Sequence, residues 1–268
     1  MESTGRAQAA RDRVPRIDPY GFERPEDFDY AAYEEFFSTY LAILTRRAIK
    51  WSRLLKGGAG VQKSMTLKRY IRKGVPLEHR ARVWMGVSGA QAQMDQNPGY
   101  YLHLLQGEKD DSLEEAIRTD YYSPSMLGLK TDQEVLGELV RTKLPAVAAL
   151  MDSHGLLWTL VVSRWFICLF VDVLPVETVL RIWDCLFNEG SKIIFRVALT
   201  LIKQHQALIL EATSVPDICE KFKEITRGSF VTECHTFMRK IFSEPGSLSR
   251  ASIARLRERC RARLLAQG

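Results

Sequence analysis

Apolar residues along this chain recur at intervals of three and four, and nowhere alternate with period two for long enough to need a sheet. From Asp29 to Leu55, Tyr33, Phe37, Tyr40, Leu44, Trp51 and Leu55 fall at three, four or multiples of that spacing, which predicts one long helix. Gly57, Gly58 and Gly60 break it. A second pattern through Leu67, Tyr70 and Ile71 stops at Gly74-Val75-Pro76 and restarts through His79, Val83 and Trp84, because proline suits the start of a helix and not its interior. Further helices are predicted through Tyr101–Leu105, Leu113–Ile117, Val135–Val140, Val176–Leu186 and Ile193–Leu210. On the Val176–Leu186 helix, Val176, Val179, Leu180, Trp183 and Leu186 form one stripe. The fold class expected is all-α, without a regular repeat.

Composition narrows the class of function. The net charge is +6, and the stretch from Glu244 to Gly268 holds six Arg against two Glu, leaving +2 for the rest. A body that is near neutral excludes a surface built to coat nucleic acid. Five cysteines with no Cys-x-x-Cys pair, and an opening MESTGRAQAARDR without an apolar core, predict free thiols in a reducing, cytoplasmic setting. The apolar runs Leu156–Val162 and Trp165–Val171 are each too short to span a bilayer and are separated by Arg164, so they are read as buried core rather than as a transmembrane segment.

Several stretches hint at chemistry and fall short of it. Gly57 to Ser64 nearly spells a phosphate-cradling loop, but Gln62 stands where its second glycine belongs and a helix precedes it where a strand is required. It is read as a linker. The histidines show no metal-ligand spacing, Cys234-His235 being an isolated pair, so neither metal nor cofactor is expected. Ser163 and Ser191 lack the surroundings of an activated nucleophile. The tail from Ser249 to Leu265, with Arg250, Arg255, Arg257, Arg259, Arg261 and Arg263, reads as a terminal basic helix with scope for weak contact with an anionic membrane.

Physical pairing does emerge elsewhere. Arg80 and Trp84 lie four apart on one helix face, where an Arg stem packs on an indole and the guanidinium reaches a carboxylate. Arg164 and Trp165, with Trp183 and Asp184 one helix later, suggest a second ion pair pinning two helices.

These fragments, taken in order, resemble a known family. Ile71-Arg72-Lys73-Gly74-Val75-Pro76 with Arg80-x-x-x-Trp84, then Tyr121-Tyr122-Ser123-Pro124, Ser163-Arg164-Trp165-Phe166, Leu174-Pro175 and Arg181 to Gly190, are similar to the TBC domain of Rab GTPase-activating proteins. The leader Ile17 to Phe22 is similar to one that precedes the domain in several members. The resemblance spans roughly residues 17–240 and implies an extended leader over 1–28, an N-terminal helix and glycine-rich linker over 29–66, the TBC domain over 67–242 and a basic tail over 243–268. It implies Rab-family small GTPases as partners in vesicle trafficking.

In that family, hydrolysis is implied to depend on two side chains inserted into the Rab active site. They are the Arg of Ile-x-x-Asp-x-x-Arg and the Gln of Tyr-x-Gln-Gly. A guanidinium there stabilises charge building on the β/γ oxygens, and an amide orients the attacking water. Here Ile117-Arg118-Thr119-Asp120 begins the first motif, but Ser123 stands at the Arg position, and Tyr-x-Gln-Gly is absent from the whole chain. Arg118 is five residues before Ser123, about 140° away on a helix. By resemblance, Tyr121 to Pro124 belongs well downstream of both fingers. The expectation is an internally truncated TBC domain, joined between Asp120 and Tyr121 as alternative splicing would leave it, with no catalytic residue. Such a chain is expected to be inactive, leaving a non-catalytic Rab-binding adaptor or an unstable isoform with uncovered apolar faces.

Overall fold

The computed structural model describes residues 17–24, 28–56, 61–99 and 121–267. The helices read over 101–117, and with them Ile117, Arg118 and Asp120, lie outside the described residues. The chain divides into two compact units, residues 1–49 and 50–268.

In the first unit Asp18 closes a turn. Its Oδ1 accepts the backbone N–H of Tyr20 and of Phe22, both at 2.9 Å, and Arg24 donates to Oδ2 at 2.6 Å. Residues 17–24 therefore fold back on themselves, where an extended leader was expected. Asp29 then caps α1 (Tyr30–Leu54), its carboxylate accepting the N–H of Ala32 at 3.0 Å. Along the first half of α1 the rings of Tyr33, Phe36, Phe37 and Tyr40 pack in succession at spacings of three and four.

The second unit begins with the last turn of α1. Trp51 is buried there, and its Nε1 donates to the carbonyl of Gly74 at 3.0 Å. Ser64 caps α2 (Met65–Lys73), its Oγ accepting the N–H of Leu67. The residue that ended the phosphate-loop likeness thus has a helix terminus to satisfy. Gly74, with φ +120°, turns the chain out of α2, and Pro76 leads into α3 (Leu77–Ser88) and α4 (Ala90–Gln96). Then follow α5 (Leu127–Lys143), α6 (Pro145–Ser153), α7 (Trp158–Ile167), α8 (Val176–Glu189), α9 (Lys192–Gln204), α10 (Gln206–Leu210), α11 (Val215–Glu224), α12 (Ser229–Thr232), α13 (Cys234–Ser243) and α14 (Arg250–Gln267). No strand forms among the described residues, only an isolated bridge between Ile17 and Glu23. The fold is all-α, and no described helix is long and apolar enough to cross a membrane.

Two helices organise this unit. α8 packs on α2, α3, α9, α12 and α13, and α5 on α6, α7, α9 and α14. Because α8 is surrounded, its deepest positions are not the predicted stripe. Thr178, Arg181, Ile182, Asp184, Cys185 and Glu189 are buried with Val179, while Val176, Leu180, Trp183 and Leu186 are only half-buried. α5 approaches α7 closely at Gly137, where a Cβ would lie 2.6 Å from the Trp158 ring. The Ile193–Leu210 pattern is cut at His205, whose backbone leaves the helical region between α9 and α10.

The two apolar runs do supply core, with Trp158, Val162, Trp165 and Phe166 buried, although Leu157 and Leu160 face solvent. After α7 the chain takes left-handed φ at Leu169, Phe170 and Asp172. Such angles are strained for L side chains and persist only where packing enforces them. Phe170 is wholly buried and its ring lies 6.2 Å from that of Trp165.

The basic tail docks as α14 on α5. Ile253 and Cys260 are buried, and Arg257 grips the buried Asp132 with Nε and Nη2 at 2.6 and 2.8 Å. Tyr121 donates its hydroxyl to the same carboxylate at 2.8 Å, and Arg257 also reaches Ser191 Oγ at 3.0 Å. Arg263 pairs with Glu134 and Glu138. The tail is therefore tertiary structure rather than a solvated appendage. Arg257→Ala leaves a buried carboxylate short of its cation; discounted for the solvent-facing side of Arg257, the cost is about 2 kcal/mol. Urea denaturation of that variant beside Arg255→Ala, expected within about 0.5 kcal/mol of the parent, checks it.

Candidate functional site

The residues singled out in sequence converge on one carboxylate. Asp184, in the middle of α8, is fully buried. Arg80 Nε on α3 donates to its Oδ1 at 3.0 Å, and Trp84 Nε1, one turn further along α3, donates to the same oxygen at 2.8 Å. The backbone N–H of Val75 donates to Oδ2 at 3.2 Å, and Arg80 Nη2 returns to the Val75 carbonyl at 3.1 Å. One side chain on α8 thereby fixes both the α2–α3 turn and the face of α3. The indole of Trp84 lies 4.9 Å from the ring of Phe187 and 6.0 Å from that of Trp183, whose Nε1 donates to the Leu169 carbonyl at 3.1 Å.

The second pairing read from sequence does not form as expected. Arg164 sits exposed near the end of α7, and Asp184 is taken by Arg80, Trp84 and Val75. Trp165 instead packs against Phe170 and Phe222. The cause lies in the helix periodicity of α7: Arg164 follows Leu157 and Leu160 on the solvent side, while Trp158, Val162 and Trp165 turn inward. Ser123 lies in the turn before α5, its carbonyl accepting the N–H of Met126 at 2.9 Å.

A neighbouring cluster was missed. Glu189 at the end of α8 is buried and receives Arg72 Nε at 2.5 Å, Arg72 Nη2 at 2.7 Å, Lys192 Nζ at 2.9 Å and Lys68 Nζ at 3.4 Å. Arg250 on α14 donates to the Glu189 carbonyl at 2.8 and 3.1 Å. The guanidinium of Arg72 also lies over the Phe242 ring, 3.9 Å from its centroid. Deeper in, Arg181 donates to the Arg72 carbonyl at 2.9 Å and contacts His235 Nδ1 at 2.6 Å. A charge on the inward face of an otherwise apolar helix was the available signal. Arg181 and Glu189 both stand in the Arg181 to Gly190 segment, but both meet Arg72, over a hundred residues away, with Lys192 close by for Glu189 and His235 on α13 for Arg181.

Electrostatics separates the two carboxylates. Burial pushes the Asp184 carboxyl above its ordinary value, against the pull of Arg80 and Arg181 and the hydrogen bonds from Arg80 and Trp84. Burial acts on Glu189 in the same sense, but the hydrogen bonds from Arg72 and Lys192 and the charges behind them win, holding it down at about 2. Cys185, buried between them, is raised by desolvation and stays a thiol. Both carboxylates have their oxygens occupied, and no group of His, Cys, Asp and Glu among the described residues could hold a metal ion. This geometry holds helices together.

Arg80→Ala leaves Asp184 buried beside unfilled bonds and is expected to cost about 3 to 5 kcal/mol, read by urea denaturation with Trp fluorescence. The Glu189 shift fixes a pH dependence. Its folded value, about 2, is below the ordinary 4.5. The folded state therefore binds the proton less readily, and the stabilisation is complete above pH 4.5 and lost as pH falls towards 2. The difference corresponds to about 3 kcal/mol. A denaturation series from pH 6 to pH 3 is expected to show this slope, and Glu189→Gln to flatten it.

Comparison with known proteins places this arrangement. Residues 113–210 match the Rab-GTPase-TBC domain family model. The chain is 61% identical to growth hormone-regulated TBC protein 1 of Mus musculus, covering all of both chains, and 65% identical to that of Homo sapiens, covering 97% of this chain and 99% of the relative. The mouse alignment runs over 358 positions and this chain supplies 268 residues, so about 90 positions hold no residue of it. The crystal structure of the Chlamydomonas flagellar RabGAP TBC domain shares the fold, with a TM-score of 0.64 at 22% identity, over 87% of this chain and 100% of that one. On near full-length identity to these relatives, the chain belongs to the Rab-GTPase-TBC domain family.

Proposed function

We propose that this chain is a Rab-binding TBC scaffold that does not accelerate GTP hydrolysis, the product of an internal deletion that removed both catalytic fingers. The observation that carries the reading is the excess of aligned positions over residues, about 90 against the mouse relative though about 20 against that of Rattus norvegicus, 68% identical with all of both chains covered. A loss of the size seen against the mouse relative accommodates both finger motifs. It agrees with the break in the Ile117–Asp120 motif, with Ser123 where the arginine belongs, and with the absence of Tyr-x-Gln-Gly. Ser123 sits in a turn, and its hydroxyl is 3.2 Å from that of Ser125, so nothing at that position supplies a cation.

The core favours a folded adaptor over an unstable remnant. Buried apolar residues run from Trp51 through Cys260 in one continuous cluster, and the Asp184 and Glu189 centres are filled. A scaffold of this kind would act on the cytoplasmic face of vesicle membranes, occupying GTP-loaded Rab without discharging it. An arginine finger contributes roughly 10³ to 10⁵ in rate. Single-turnover hydrolysis across a Rab panel is therefore expected to stay within about twofold of the intrinsic rate, while GTP-loaded Rab is retained in pull-down. Acceleration of about 10³ that disappears in Arg118→Ala would overturn the inactive reading, and failure to retain any Rab would remove the adaptor.

A further inference from the structure

The Glu189 centre leaves a surplus of positive charge at the surface. Lys68, Arg72 and Lys192 converge on its single carboxylate and Arg250 on its carbonyl. Arg196 is close enough for the charge of Arg72 to depress its pKa, an effect second to burial. Lys68 and Arg72 each keep about a third of the side chain in solvent, at 30% and 34%. Both are on α2, and the same helix adds Arg69 and Lys73, which are exposed. Three cations thus share one buried carboxylate, with Arg250 on its carbonyl and Arg69 and Lys73 exposed on the same helix as Lys68 and Arg72, in a chain whose body is otherwise near neutral.

The apolar positions around this helix select the partner. Met65, at the first position of α2, is 67% exposed, and Leu77, at the first position of α3, is 55% exposed. Met65, Lys68, Arg69 and Arg72 follow at intervals of three and four, so the methionine shares the cationic face. A free anion needs only the charge. A bilayer surface rewards both, with headgroup phosphates facing the cations and a large apolar side chain entering the acyl boundary at each end. By contrast, Arg250, Arg257 and Arg263 in the tail are held by Glu189, Asp132, Glu134 and Glu138.

We infer that the exposed face of α2, from Met65 to Lys73 with Leu77 beyond it, is a docking surface for an anionic membrane, read through lipid phosphate groups. The tail is not that surface. This inference is independent of the GTPase-activator reading, and no Rab enters its test.

The full chain is mixed with vesicles of phosphatidylcholine alone or with about 30% phosphatidylserine, and the bound fraction is read by flotation. Binding to the anionic vesicles only is expected, falling with added salt. Arg69→Ala with Lys73→Ala spares the Glu189 ion pairs; at about fivefold per cation, the pair should weaken binding about 25-fold. Arg255→Ala with Arg259→Ala removes the same charge from the exposed side of α14 and is expected to change binding by less than about twofold. Equal binding to neutral vesicles, or no binding to either, would overturn the inference. So would a loss in the tail variant matching that of the α2 variant. Melting temperatures of both variants within about 2 °C of the parent confirm that the comparison is between folded proteins.

Discussion

The carboxylate of Asp184 is the constraint on which the second unit depends. It is removed from water altogether, which for an isolated charge would cost several kcal/mol. The cost is offset only because three donors of different origin meet it: a guanidinium, an indole N–H and a backbone amide. None of these can move without leaving the others mispaired. The turn between α2 and α3, the pitch of α3 and the rotation of α8 about its axis are thus coupled through a single side chain. Glu189, almost a turn and a half further along α8, repeats the device with α2, α9 and α14.

Much of this was legible in the sequence, and the reason is local. Helix spans from α1 to α3 and at α5, α8 and α9 follow from apolar spacing, and Arg80 with Trp84 could be read as a pair because four residues separate them on one helix. What the residues alone could not supply was the choice of partner across the chain. In sequence Arg164 reads as the partner of Asp184 and Arg80 is given no particular carboxylate, and only the rotation of α7, set by burying Trp158, Val162 and Trp165, sends Arg164 outward. The α8 stripe misled for a related reason. Period alone finds the apolar face of a helix packed on one side, whereas α8 is packed on several and buries its charges with its aliphatics.

The tail shows the limit from the other direction. A run of arginines with a single glutamate among them, Glu258, reads as solvated or lipid-facing, because the carboxylates that claim Arg257 and Arg263 lie on α5 and the carbonyl that holds Arg250 lies at the end of α8. Electrostatic complementarity of that kind is a property of the folded chain. It explains why the surplus charge of the protein resurfaces on α2, a helix whose sequence is short and in no way conspicuous.

The ion pairs also bear on how the molecule reaches its native state. Arg80 and Asp184 are 104 residues apart, Arg72 and Glu189 are 117 apart, and Arg257 and Asp132 are 125 apart. Helical domains commonly fold quickly because their contacts are local. Here each polar staple closes a loop of more than a hundred residues and yields its free energy only once the surrounding apolar faces have excluded water. Such contacts belong late on the pathway. They select among collapsed helical arrangements that hydrophobic burial alone leaves close in energy, and their loss shows first in how fast the native state opens rather than in how fast it forms.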